Sequence, residues 1–231
     1  MSSDDSSTPS PQAASSDGAR TITKLAAQKN DTSRASVFLD GEFAFGVHQD
    51  LVLEHGLCKG RTLSLDEQRA IEEEDAVMRA KAKAMRYVAR RARTKEEVRR
   101  KLREKDYPEH AVEAAVARLK ELDYLDDAEY AREYMRSRFR SKGYGPVRLR
   151  RELKQRGVDR HQIEDAMLLL DEEEVREAAR EHAQKRWPRL ADEEDPRRRR
   201  QKLKGYLRRR GFSYDTIRRA ADEVEREAEK G

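Results

Sequence analysis

The chain has 231 residues, 42% of them charged and only 36% hydrophobic, so its core must be thin, which suits a helical or repeat protein and argues against a deep α/β enzyme. A net charge of +5 and a pI near 9.2 favour acidic partners, with nucleic acid the first candidate. The single cysteine, Cys58, excludes an intrachain disulfide; no apolar run reaches membrane-spanning length, and the polar N-terminus lacks a signal-peptide pattern, so the sequence reads as cytoplasmic with no membrane partner.

Residues 1–20 are rich in Ser, Asp and Pro and are expected to be a disordered tail. Residues 21–60 form a small α+β module. Ile22, Val37, Phe38, Leu39, Phe43, Phe45 and Val47 fall in short runs broken at Asn30-Asp31 and Asp40-Gly41, which predicts strands near 21–29, 33–39 and 42–47. A brief helix over 49–55 ends at Gly56. Ser64-Leu65-Asp66-Glu67 starts a long helix to about Arg93, and Thr94-Lys95-Glu96-Glu97 caps the next one.

From here the sequence repeats. Val98, Leu102, Tyr107, Val112, Val116 and Leu119 recur 51 residues later as Leu149, Leu153, Val158, Ile163, Met167 and Leu170. After a further 54 they recur as Leu203, Leu207, Phe212, Ile217, Ala221 and Val224. Gly157 and Gly211 take the same place after the second helix, where a left-handed backbone is needed, and Asp106 fills it in the first repeat. Pro108, Asp159 and Ser213 open the third helices. The expected fold is mainly α: three tandem three-helix repeats in an elongated array, preceded by a small β-hairpin-containing N-terminal module. Residues 61–123 hold a linker helix and the first repeat, 124–171 the second and 172–231 the third.

Charge is segregated along each repeat. Arg79 to Lys105 holds thirteen Lys/Arg against three Glu, Arg132 to Arg156 ten against two, and Arg197 to Arg210 nine with no acid. The third helices run the other way, with seven acids and two bases over 109–129 and eight against two over 159–177, and only the last repeat weakens this, with six against four over 212–231. Basic residues of the second helices and the turns before them are therefore candidates for meeting a polyanion or an acidic protein face: Arg99, Arg100 and Arg103; Lys142, Tyr144, Arg148, Arg150, Arg151 and Lys154; Lys204 and Arg208. The plainer alternative is pairing between solvated helix faces within the chain.

Other motifs carry less. Lys142-Gly143-Tyr144-Gly145 lacks the preceding strand and the Gly-Lys-Ser/Thr ending of a nucleotide loop, although amides at the helix start beside Lys142 and Arg148 could hold one phosphate. Asp126 and Glu129 stand at capping-box spacing, which explains the carboxylates of Leu125-Asp126-Asp127-Ala128-Glu129 better than acid–base chemistry does. His55 and Cys58, with only His48 nearby, fall short of a zinc set. His110, His161 and His182 are isolated, so no active site, metal or cofactor is expected. Tyr144 is the best exposed candidate for stacking on a base, whereas Tyr87, Tyr130 and Tyr134 are expected to face the core.

Tyr124-Leu125-Asp126-Asp127, the run Gly143-Tyr144-Gly145-Pro146 followed by Arg148-Leu149-Arg150-Arg151-Glu152-Leu153, and the triple repeat together resemble the RecX family of recombination regulators over residues 76–230. Residues 21–60 resemble the N-terminal extension of some members. The resemblance implies a regulator rather than an enzyme, a monomer that binds the RecA filament on single-stranded DNA. It would lie in the filament groove, bridge protomers, block strand exchange, slow ATP hydrolysis and hinder the coprotease role toward LexA. Members also bind DNA themselves. The alternatives are a helical-repeat DNA-binding protein without a recombinase partner and an adaptor that uses the acidic third helices.

Overall fold

The computed structural model describes residues 18–29 and 31–229. The tail expected over residues 1–20 lies outside the described residues up to residue 17; Arg20 already opens the first strand. The chain divides into two compact units, residues 1–82 and 83–231.

In the first unit, β1 (Arg20–Gln28), β2 (Asp31–Leu39) and β3 (Glu42–His48) follow the expected strands closely. The two-residue β4 (Thr62–Leu63) pairs antiparallel with β1, giving the order β3-β2-β1-β4 in place of the three strands expected. The Asp40-Gly41 turn has φ of 51° and 91°, the conformation that an Asp-Gly hairpin favours. The Asp40 carboxylate accepts from the Thr21 amide and Arg20 Nε, both at 3.0 Å. Ile22, Val37, Leu39, Phe45 and Val47 form the inner face, covered by Leu51 of α1 (Gln49–Glu54) and Ile71 of α2 (Leu65–Val88). Asp75 is buried and compensated: Arg34 donates two bonds of 2.9 Å, the His48 amide a third at 2.9 Å, and Arg79 lies 2.9 Å away. His55 bonds Glu74 at 2.7 Å, and Cys58 is exposed.

The helix expected to reach Arg93 stops at Val88. The basic run beyond it leaves the helix because Thr94 must be extended to cap the next one; its φ and ψ are −84° and 160°. Arg93 folds back over the Tyr87 ring, 4.0 Å from the centroid.

The second unit holds α3 (Lys95–Arg103) and α4 (Glu109–Glu121) of the first repeat; α5 (Asp127–Lys142), α6 (Pro146–Gln155) and α7 (Arg160–Met167) of the second; and α8 (Glu172–Arg186), α9 (Pro196–Arg210) and α10 (Tyr214–Ala228) of the third. The recurring apolar positions are buried, apart from half-buried Tyr107 and Leu170. Asp106, Gly157 and Gly211 have φ of 57°, 77° and 93°, the left-handed turn their shared position requires. Asp126 caps α5 by accepting from the amides of Ala128 and Glu129, at 2.9 and 3.0 Å, while Glu129 turns to Arg132. Asp127, also buried, accepts from the Lys95 amide at 3.0 Å and so ties the second repeat to the first. Phe139 and Leu170 touch the cores of both the second and third repeats.

The repeats are joined by one contact used twice. The Gly145 amide donates to the Arg210 carbonyl at 2.9 Å and the Val147 amide to the Gly211 carbonyl at 3.0 Å. At the equivalent place one repeat earlier, the Thr94 hydroxyl donates to the Arg156 carbonyl at 2.6 Å. The start of each second helix thus sits on the turn that ends the next repeat's second helix. A side chain at Gly145 would drive into the Gly211 carbonyl and lie 2.6 Å from the Phe212 nitrogen. That close approach, and not a bound phosphate, accounts for the glycine turn, because the amides proposed for an anion already donate within the chain.

Gly145→Ala is therefore expected to destabilise the second unit by roughly 1–3 kcal/mol, the usual scale of overpacking. Gly205→Ala, in the open interior of α9 with only the tip of Arg209 nearby, is expected to stabilise it by about 0.5–1 kcal/mol. Thermal melts of the two variants, shifted in opposite directions, check both.

Candidate nucleic-acid and partner interface

Each second helix has two polar sides, and the structure treats them differently. One side faces its own third helix and is neutralised. Arg99 donates two bonds to Glu113, at 2.7 and 3.0 Å, and Arg103 reaches Glu109 at 3.0 Å. Arg150 meets Glu164 at 3.1 Å, the same pair as Arg99–Glu113 moved by one repeat. In the third repeat Arg200 pairs with Asp222 and Glu225. The bonds from Arg99 and Arg103 hold the carboxyls of Glu113 and Glu109 below the usual carboxylate range. The segregation of charge along the sequence thus becomes pairing across each repeat at these positions.

Arg148 is occupied on another side. It donates to Glu152 at 2.8 Å and lies over the Tyr144 ring, 3.5 Å from its centroid. Burial alone would raise the Glu152 carboxyl, but bonds from Tyr134 and Arg148 outweigh it and keep it below its ordinary value. Tyr144, expected to be the exposed stacking residue, is half-buried with Arg148 on its ring.

Arg100, Lys142, Arg151, Lys154 and Arg208 are exposed and Lys204 is half-exposed; none of the six forms an ion pair within the described residues. Arg100 also lines a cleft of about 440 Å³ where the first repeat meets the second. Arg138 of α5 and Arg156 reach the same cleft, both lying over the Tyr134 ring at 5.2 and 4.8 Å. Arg156 also bonds buried Glu97 at 2.6 Å, which compensates that carboxylate. In the third repeat Arg186 and Arg210 lie over Tyr206 at 5.6 and 5.4 Å in a similar arrangement. Arg210 also donates to the Lys142 carbonyl, closing the junction.

Charge counting missed Arg138 and Arg156 as members of the cleft at Arg100, and Arg186 and Arg210 as neighbours of the Tyr206 ring. A usable signal was present: Tyr134–Arg138 and Tyr206–Arg210 are four apart within one helix, the spacing that sets an arginine beside an aromatic ring. These guanidiniums are held in place by the rings, so little side-chain freedom remains to be lost when they take a phosphate or carboxylate.

His182 of α8 packs under the turn at Gly143, with the Tyr206 hydroxyl 3.5 Å from Nδ1. Burial, then Arg210, pushes its pKa below the ordinary 6.5; Lys185 acts in the same direction, while Gly143 and Glu181 oppose. The neutral ring is the one the fold accepts. The stability it contributes is complete above the unfolded value of about 6.5 and is lost as pH falls through the lower folded value.

Two outcomes are expected. Paired removal of Arg138 and Arg151 as glutamines should weaken single-stranded DNA binding and reduce the salt slope by roughly 1.4, whereas Arg99→Gln with Glu113→Gln should leave both nearly unchanged; fluorescence titrations at several salt concentrations measure this. Melting temperature should fall on acidification below about pH 6.5, and His182→Gln should flatten that part of the profile.

Comparison with known proteins agrees with this architecture. Family models match in chain order: the regulatory protein RecX N-terminal domain over residues 20–64, and the first, second and third RecX three-helix domains over 80–119, 126–167 and 172–221. A relative from Clostridium acetobutylicum, described as regulatory protein RecX, is 33% identical over 207 residues, covering 88% of this chain and 96% of its own length. One from Leuconostoc citreum with the same description is 35% identical over 208 residues, covering 89% of this chain and 76% of its own. A crystal structure of regulatory protein RecX superimposes with a TM-score of 0.66 at 31% identity, over 88% of this chain and 99% of its own. That of RecX from Lactobacillus salivarius gives 0.60 at 29%, over 66% and 98%. With all four of its domains matched in order and whole-length relatives above 30% identity, the chain belongs to the RecX family of regulatory proteins.

Proposed function

We propose that this protein binds the RecA filament on single-stranded DNA and restrains strand exchange, ATP hydrolysis and the coprotease role toward LexA, acting as a cytoplasmic monomer without catalysis of its own. The observation that carries this reading is the partition of the second helices. Arginines cross-braced by carboxylates lie on one side, and on another lies a cleft where Arg100 and Arg156 meet Arg138 of α5, three arginines against Glu97 and Glu152. A filament groove presents protein and nucleic acid together, and a surface that alternates neutralised and cationic strips matches such a target better than a uniform phosphate track does.

Within this reading, Arg100, Lys142, Arg151, Lys154, Lys204 and Arg208 supply cations that form no ion pair among the described residues. Arg99, Arg103, Arg148 and Arg150 contribute only by sharing their carboxylate partners with the filament, and Tyr144 contributes through its ring with Arg148. The working segments are 61–123, 124–171 and 172–231, one repeat each, with 21–60 as a separate module.

The protein should suppress the DNA-dependent ATPase of its own RecA at concentrations where it barely binds bare DNA. Paired ATPase and DNA-binding titrations measure this. Inhibition that appears only after the DNA is saturated would mean simple competition for DNA, and the chain would be a DNA-binding repeat protein with no need of a recombinase partner.

A further inference from the structure

A cavity of about 780 Å³ opens between the second and third repeats on the side of α6 away from Tyr134 and Glu152. Its apolar lining is Pro146, Val147, Met167, Leu168, Leu170 and Val175. Leu168 is 83% exposed and Val147 54%, so two large aliphatic side chains stand in water beside an apolar hollow. Scattered exposed leucines need no explanation, but a contiguous patch on a groove does.

The repeats themselves provide the control. The position of Leu168 is Ala117 in the first repeat and Asp222 in the third; the position of Val147 is Glu96 and Gln201. The three-helix fold therefore does not require an aliphatic residue at either place, and only the second repeat carries one at both. Neighbouring Leu169, 52% exposed, corresponds to Arg118 and Glu223.

The charges around the groove identify the kind of occupant. Arg150, Arg176 and Arg219 line it together with Glu164, Glu172 and Asp215, three of each sign. Arg150 is already bonded to Glu164, and Arg176 to Glu172 at 2.9 Å. A phosphate backbone would meet three carboxylates and no surplus of cations here, unlike in the cleft where Arg100, Arg138 and Arg156 outnumber Glu97 and Glu152. A protein surface with a bulky aliphatic or aromatic side chain flanked by charges of both signs fits both the hollow and its rim.

We propose that this groove is the docking site for an apolar side chain of the protein partner, while the arginine–tyrosine clefts take nucleic-acid phosphates; the proposal rests on the filament reading and divides its contacts between two surfaces. Both exposed residues can be exchanged for those the third repeat carries at the same positions, Val147→Gln with Leu168→Asp, so the replacements are ones the repeat fold already accommodates. Circular dichroism and a thermal melt establish that the variant is folded. Co-sedimentation with RecA filaments and titration of single-stranded DNA are then compared with wild type. Filament affinity should fall at least about tenfold, the scale of losing an interface anchor, with DNA affinity and its salt slope unchanged. Undiminished filament affinity in the folded variant overturns the proposal, as does an equal loss of DNA binding. Sedimentation equilibrium that shows a wild-type dimer abolished by the substitutions, with filament affinity intact, assigns the groove to self-association and overturns it too. A wild-type protein that never co-sediments with filaments sinks the filament reading itself and this division of contacts with it.

Discussion

The clasp between successive second helices fixes how each repeat of the second unit meets the next. Two amides of the glycine turn, Gly145 and Val147, donate to the carbonyls of Arg210 and Gly211; one repeat earlier the Thr94 hydroxyl does the same for Arg156. Each such bond contributes a net of only about 1 kcal/mol, yet leaving a buried partner unpaired costs roughly 1–3 kcal/mol, so the junction is held more by the penalty of opening it than by its intrinsic strength. Tandem repeats contact only their neighbours, and their stability is approximately a sum of such nearest-neighbour terms. The clasp also places two guanidiniums: Arg156 caps the end of α6, Arg210 is the last residue of α9, their carbonyls accept these bonds, and both guanidiniums lie over tyrosine rings.

Against that frame of backbone contacts, the many surface ion pairs act mainly on the electric field. An exposed pair such as Arg99–Glu113 or Arg150–Glu164 contributes about 0–1 kcal/mol to stability. Its larger consequence is that the strip of second helix it covers carries paired charge, while Arg100, Arg151 and Lys154 form no ion pair among the described residues. Buried carboxylates are different. Asp75, Glu97 and Asp127 each meet an arginine, a lysine or a backbone amide, and removing one partner would strand a charge in the core.

Much of this was legible in the sequence, for identifiable reasons. Apolar positions recurring at 51 and 54 residues located the repeats because every unit must bury the same ridge, and the Asp-Gly turn located the hairpin because few residues accept its backbone. The strand Thr62–Leu63 was not legible because two residues give no periodicity. The end of α2 was misplaced because Arg90, Arg91 and Arg93 are compatible with a helix, and only the capping demand of Thr94 forces the chain out of it. Charge runs showed where cations lie along the chain but not which carboxylate each would face. That depends on how the third helix packs on the second, a tertiary fact. The glycine turn was read as a possible anion holder because its local pattern is the same whether its amides face a ligand or the next repeat.

Amide hydrogen exchange at Gly145 and Val147, resolved by NMR, tests the clasp most directly. If the turn is a junction between repeats, both amides exchange as slowly as core amides of α6 such as Leu153, and adding phosphate or single-stranded DNA changes them little. Exchange at the rate of an open loop, slowing only when the polyanion is added, would show that the turn binds an anion instead and would contradict the account.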